Sequence, residues 1–196
     1  MKCVKIFQTL ENRGNRNEVE VHGPYFCSLS DPYGNIKQGV KEPWLGEGYY
    51  FWDTLIDDAH WWGRTVYEEQ GYLICQTTYD QHSELLYDTV ANVDQMKELV
   101  DCAEVIKQER NLNTVTFALV LGYLRKRTRF NYKAIRVHPS PITWKQKDVS
   151  IVFPDRDKKI AFLQLDKVQI CFFDKTLLTN PFVVIYSSEQ PADFVI

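Results

Sequence analysis

The stretch "WLGEGYYFWD", Trp44 to Asp53, sets the aromatic run Tyr49-Tyr50-Phe51-Trp52 behind two glycines, Gly46 and Gly48. In an extended strand, successive side chains point to opposite faces, so Tyr50 and Trp52 share one side and Tyr49 and Phe51 the other. One pair can enter a core while the other walls a groove. The run is thus either a core strand behind a turn or one wall of a pocket for a flat ligand.

The stretch that follows, "DTLIDDAHWWGRTVYEE", reads as a helix, with Asp53 or Thr54 as N-cap and acidic residues in its first turns. Leu55, Ala59 and Trp62 fall on one helical face. The adjacent Trp61 cannot point the same way as Trp62, so at least one of the two belongs to the core. Upstream, "CVKIFQTL" is predicted as a first strand, "ENRGNRNE" as a turn and "VEVHGPYFCSL" as a second extended segment broken at Gly23-Pro24. "SDPYGNIKQG" is a polar loop.

Downstream, "GYLICQTTYD" alternates like a strand. Tyr79, Asp80, His82 and Glu84 then read as a solvated loop. Helices are expected over Val93–Gln108 and Thr114–Arg127, with basic "LRKRTR" as a helix end that suits the helix dipole. "NYKAIRVH", "DVSIVF", "KIAFLQL", "KVQICFFD" and "PFVVIYSS" return to strand character. Helices in the middle with strands on both sides argue for an α+β fold with a largely antiparallel sheet, in one domain over residues 1–196.

The composition is that of an ordinary globular chain: 196 residues, 44% hydrophobic, 25% charged, net charge −3. That charge gives no general pull toward nucleic acid or anionic membrane. The five cysteines form no CxxC pair and the four histidines show no metal-ligand spacing, so neither a zinc cage nor a disulfide scaffold is expected. There is no signal-peptide pattern and no apolar run near the roughly 20 residues that span a bilayer, so a cytoplasmic location is expected. Dinucleotide fingerprints, Walker loops, HExxH, GxSxG and EF-hand patterns are absent.

Within this frame, "GEGYYFWD" resembles the G-x-G-x-Y-F-x-D segment of ADP-ribosyltransferases related to poly-ADP-ribose polymerases and diphtheria toxin, matching at Gly46, Gly48, Tyr50, Phe51 and Asp53. The following "DTLIDDAHWWG" resembles the family segment in which an alanine precedes a second aromatic by two residues, here Ala59 and Trp61. The resemblance implies split antiparallel β-sheets with flanking helices. It also implies that Tyr50 and Trp61 sandwich the nicotinamide ring of NAD. A flat, electron-poor ring between two electron-rich faces gains about 0.5–1.5 kcal/mol per face beyond area burial, and a glycine-bounded loop lets backbone approach the ligand.

The family also carries a His-Gly step on its first strand, holding the nicotinamide amide and the adenosine ribose. His22-Gly23 in "VHGPY" is one match, with Pro24 in place of the family's hydroxyl residue. Gln8-Thr9 in "KIFQTL" is the other. A family glutamate that opens a late strand corresponds to Gln169 in "QICFFDKTLLTNPFVV", which alternation places on one face with Cys171 and Phe173. Asp166 falls on the opposite face. The lost charge-assisted contact costs on the order of 1–3 kcal/mol, about 10- to 100-fold in rate.

The resemblance therefore implies Gln169, Tyr50 and His22 as catalytic residues. His22, Gly23, Gly48, Tyr50, Trp61, Gln8 and Thr9 form the implied dinucleotide-binding set. The implied activity is transfer of one ADP-ribose from NAD to an unidentified macromolecular acceptor. The alternative is a catalytically inactive member of the fold acting as a nucleotide-binding or interaction module.

Overall fold

A computed structural model describes residues 3–31, 33–38, 42–127, 129–139, 150–154, 159–163, 167–179 and 181–188, the segments 150–154 and 159–163 by backbone alone. Asp166 lies outside the described residues.

The elements are, in order, β1 (Cys3–Glu11), α1 (Arg16–His22), β2 (Tyr49–Asp53), α2 (Ile56–Val66), β3 (Tyr72–Asp80), β4 (Leu86–Asp88), α3 (Val93–Arg110), α4 (Phe117–Arg125), β5 (Ala134–Val137), β6 (Ser150–Pro154), β7 (Lys159–Leu163), β8 (Gln169–Phe172) and β9 (Val183–Ser187). Seven strands form one mixed sheet in the order β4-β5-β8-β2-β1-β3-β9, and β6 and β7 pair as a separate antiparallel hairpin. Within the seven-stranded sheet only β4 and β5 run parallel. The chain is thus α+β with a mainly antiparallel sheet, as its element order implies.

The sheet forks at its centre. β1 pairs with β3 along its whole length, Cys3↔Asp80 to Glu11↔Tyr72, and β2 pairs with β8 from Tyr49↔Phe172 to Trp52↔Gln169. Between β1 and β2 the register holds only Ile6↔Asp53 and Phe7↔Trp52. Beyond Phe7 the strands part, leaving a gap between Gln8–Leu10 and Tyr50–Phe51.

Strand alternation sorts the core. Ile6, Phe51, Leu73, Ile170 and Phe172 pack on one face together with Val19 of α1 and with Phe182. On the other face Phe7, Trp52, Tyr72 and Ile74 meet Ala59 of α2. Farther along it, Ile135, Val137 and Cys171 meet Leu121 of α4 and Leu45. α3 joins through Cys102 and Ile106, which pack on Val120 and Leu124.

Helix ends follow their sequence signals where a side chain can reach. Asn92 accepts from the N–H groups of Asp94 and Gln95 at the start of α3, and Asn111 closes it in the left-handed conformation. Thr116 caps α4 through the N–H of Leu119.

Two expectations are corrected. Arg16–His22 is a helix, not an extended segment. The alternating "VEV" would put both valines on one side of a strand. On a helix, residues two apart are turned by about 200°, so Val19 is 2% exposed and Val21 75%. Neither Asp53 nor Thr54 caps α2; Leu55 holds that position without a side-chain bond. Asp53 ends β2 and is drawn into an ion pair, while Thr54 turns the chain with a left-handed φ of 64°.

Candidate functional site

The fork opens into a cleft of about 560 Å³, within the range of small-molecule sites. Its walls come from both sides of the gap: Gln8, Thr9 and Leu10 from β1, and Tyr50, Phe51 and Trp52 from β2. Trp62 of α2, Tyr67, the segment Tyr25–Ser28, Trp44 and Gln169 complete the lining. The charged lining residues are Lys37 and Glu42, both exposed. The cleft is therefore aromatic-walled and nearly neutral.

Gln8 holds the fork open. Its side-chain amide offers the same N–H and C=O groups as a peptide unit, and Tyr25 uses both: the Tyr25 N–H donates to Gln8 Oε1 at 2.9 Å and Gln8 Nε2 donates to the Tyr25 carbonyl at 3.0 Å. Gln8 Nε2 also reaches the Tyr50 carbonyl at 3.3 Å. A buried polar side chain satisfied in this way replaces the backbone ladder that β1 and β2 give up. Thr9 donates to the Ala59 carbonyl of α2 at 2.9 Å. Gln8 and Thr9 both line the cleft, with their polar atoms committed to protein partners.

Tyr50 also lines the cleft and packs against the cluster around Leu45 and Cys171. Its hydroxyl accepts from the Leu45 N–H at 2.8 Å and donates to the Gly46 carbonyl at 2.7 Å. Burial, with the Cys171 thiol beside it, pushes the phenol well above its ordinary range. Tyr50 is thus a neutral wall, pinned by the turn at Leu45–Gly46.

Gln169 opens β8 directly across from Trp52. Its Oε1 accepts the indole N–H of Trp44 at 2.7 Å, and Trp44 in turn rests edge-on against Phe117 of α4 with ring centroids 5.3 Å apart.

The structure does not bring the rest of the implied set to the cleft. His22 is exposed on the last turn of α1, and Gly23 closes that helix against Phe182, whose ring would lie 2.2 Å from an added Cβ. The two candidate dipeptides therefore separate: Gln8-Thr9 stands on the first strand beside Tyr50, and His22-Gly23 does not. Gly48 is buried where β8 approaches closely, its missing Cβ position being 2.4 Å from Cys171 Sγ and 2.7 Å from the Phe172 carbonyl. It serves strand packing, not ligand approach.

Trp61 is not a cleft wall; Trp62 is. Ala59 and Gly63 fix the helix register, since Ala59 is fully buried and a Cβ on Gly63 would strike the Tyr72 ring at 2.3 Å. That register turns Trp62 to the cleft and leaves Trp61 under the Lys167 ammonium, 4.4 Å from its ring centroid. Trp52, Trp61 and Trp62 form a triangle with centroids about 6 Å apart.

Arg136 is a structural residue the sequence did not signal. Its Nε donates to Asp53 Oδ2 at 2.8 Å, its Nη2 lies 2.7 Å from the same oxygen, and Nη1 reaches Asp88 at 3.2 Å. Burial alone would lower the guanidinium pKa; the Asp53 and Asp88 carboxylates outweigh that and hold it above the ordinary value. The trio ties β2, β4 and β5 together.

Chemically, the cleft can hold flat rings and offer them hydrogen bonds. At its rim the Ser28 hydroxyl donates to the Glu47 carboxylate at 2.5 Å, and among the described residues no group of three or more His, Cys, Asp and Glu could hold a metal ion. No described helix is long and apolar enough to cross a membrane. No family model, curated protein or solved structure matches the chain.

Proposed function

We propose that the chain binds NAD in the cleft at the sheet fork, as a divergent relative of ADP-ribosyltransferases in which binding predominates over transfer. The observation that carries this reading is the gap between β1 and β2, which sets Tyr50, Trp52, Trp62 and Gln169 around one cavity. Flat aromatic walls suit nicotinamide and adenine rings, and Lys37 supplies a cation for a pyrophosphate. Binding is favoured over transfer because β8 presents a neutral amide whose carbonyl is already engaged by Trp44.

Transfer of one ADP-ribose to a macromolecular acceptor is the second reading, favoured by the place of Gln169 at the head of β8 opposite Trp52. In that reaction the bond from nicotinamide nitrogen to ribose C1′ breaks, and nicotinamide leaves with the electron pair. The acceptor's nucleophile bonds C1′ and releases its proton to solvent. Positioning would supply most of the rate.

Isothermal titration with NAD tests binding: heat with one-site stoichiometry, reduced by Trp62→Ala, supports it, and no heat at millimolar NAD refutes it. Incubation with labelled NAD and cell extract separates the readings. Label incorporation lost in Tyr50→Ala supports transfer; NAD binding without label or free nicotinamide supports the binding protein.

A further inference from the structure

The hydrogen bond between Trp44 and Gln169 fixes more than a side-chain position. An indole N–H is a donor only, so the Gln169 atom that faces it must be the carbonyl oxygen. This removes the usual ambiguity between the oxygen and nitrogen of a glutamine amide. Nε2 is then the free end: Gln169 lines the cleft, and Nε2 is not buried and has no hydrogen-bond partner among the described residues. The orientation is braced from behind, because Trp44 is itself held edge-on by Phe117.

We infer that Trp44 is a positioning residue that locks Gln169 with its N–H donors toward the cleft, selecting flat ligands that carry a hydrogen-bond acceptor, such as a ring carboxamide. This rests on the reading of the cleft as a site for flat rings. A ligand with a carbonyl satisfies the open donor, whereas a ligand of the same shape with only donors meets a like-polarity group and leaves it unsatisfied, a loss of about tenfold or more in affinity. Glu at position 169 would reverse the rule: one carboxylate oxygen would accept from Trp44 and the other would face the cleft as an acceptor.

Benzamide and benzamidine share ring and size; the first is neutral and has a carbonyl, the second is a cation at neutral pH and has only donors. The change in preference between the unaltered chain and Trp44→Phe, in which that charge difference is constant, therefore reads the amide orientation. Titrated into the ¹⁵N-labelled full chain, benzamide should bind at least about tenfold more tightly than benzamidine. Gln169→Glu should invert the preference and move the Trp44 indole resonance. Trp44→Phe, which keeps an aromatic wall but no N–H, should shrink the preference below about threefold while benzamide still binds.

Equal affinities in the unaltered chain would overturn the orientation while leaving the cleft as a ring-binding site. An unchanged preference in Trp44→Phe would also overturn it. Failure of both rings to bind would remove the cleft reading together with the inference. Should Trp44→Phe not fold, the preference in the unaltered chain and the shift of the Trp44 indole resonance on adding benzamide still decide.

Discussion

Replacing Arg136 by Met should lower the stability of the folded chain by about 3–5 kcal/mol, the usual cost of leaving a buried charge without its partner. The side-chain exposures are 12% for Arg136, 2% for Asp53 and 13% for Asp88, so solvent does little to screen the group. Met keeps the apolar stem of Arg136 and removes only the guanidinium. The loss is then electrostatic and hydrogen-bonding, with no large cavity added. Arg136→Lys retains charge but not the two-pronged contact with Asp53 Oδ2, and should fall between the two.

In urea, with a slope of roughly 2 kcal/mol per M, a 4 kcal/mol loss moves the midpoint down by about 2 M. Adding Asp53→Asn to Arg136→Met should recover part of the loss, since it removes a carboxylate that the first change left unpaired. A midpoint for Arg136→Met within about 0.5 M of the unaltered chain, a loss near 1 kcal/mol, would refute the view that this trio clamps β2 to β4 and β5.

Trp62→Ala should weaken NAD binding about tenfold by calorimetry, whereas Trp61→Ala should change it less than threefold; the reverse order would return Trp61 to the cleft wall. Gly48→Ala should cost about 1–3 kcal/mol in denaturant unfolding, because its Cβ would strike both Cys171 Sγ and the Phe172 carbonyl, and an unchanged midpoint would contradict the close packing. On the edge strand β9, the Val184 N–H donates to Glu20 and its carbonyl accepts from Arg16, both at 3.0 Å. Such capping blocks strand-to-strand pairing. Arg16→Ala with Glu20→Ala should therefore increase concentration-dependent self-association in sedimentation velocity, and no increase would count against this role. Burial pushes the thiols of Cys75 and Cys171 up to about 12, so iodoacetamide at pH 8 should modify exposed Cys3 and spare both in the folded chain; mass spectrometry of early labelling products would expose an error.

Much of the fold was legible because it is encoded locally. The α+β order and the strands from "CVKIFQTL" to "PFVVIYSS" follow from alternation and periodicity, and the helices expected from Val93 and Thr114 begin at Val93 and Phe117, behind the caps Asn92 and Thr116. Local pattern failed at "VEVH", where α1 packs against the sheet through one buried valine, and at "DT", where an ion pair 83 residues distant claimed the carboxylate of Asp53.

That "GYYFWD" is an aromatic strand followed by an amphipathic helix follows from side-chain spacing alone. Which of those aromatics face a cavity is a matter of long-range packing. That choice depends on where β1 and β2 part, on Gln8 reaching Tyr25, and on the register that Ala59 and Gly63 impose on α2. The same holds for Gln169. Its place at the head of a strand is written in the chain, but the direction of its amide is set by Trp44, 125 residues away, through a donor that has no acceptor alternative.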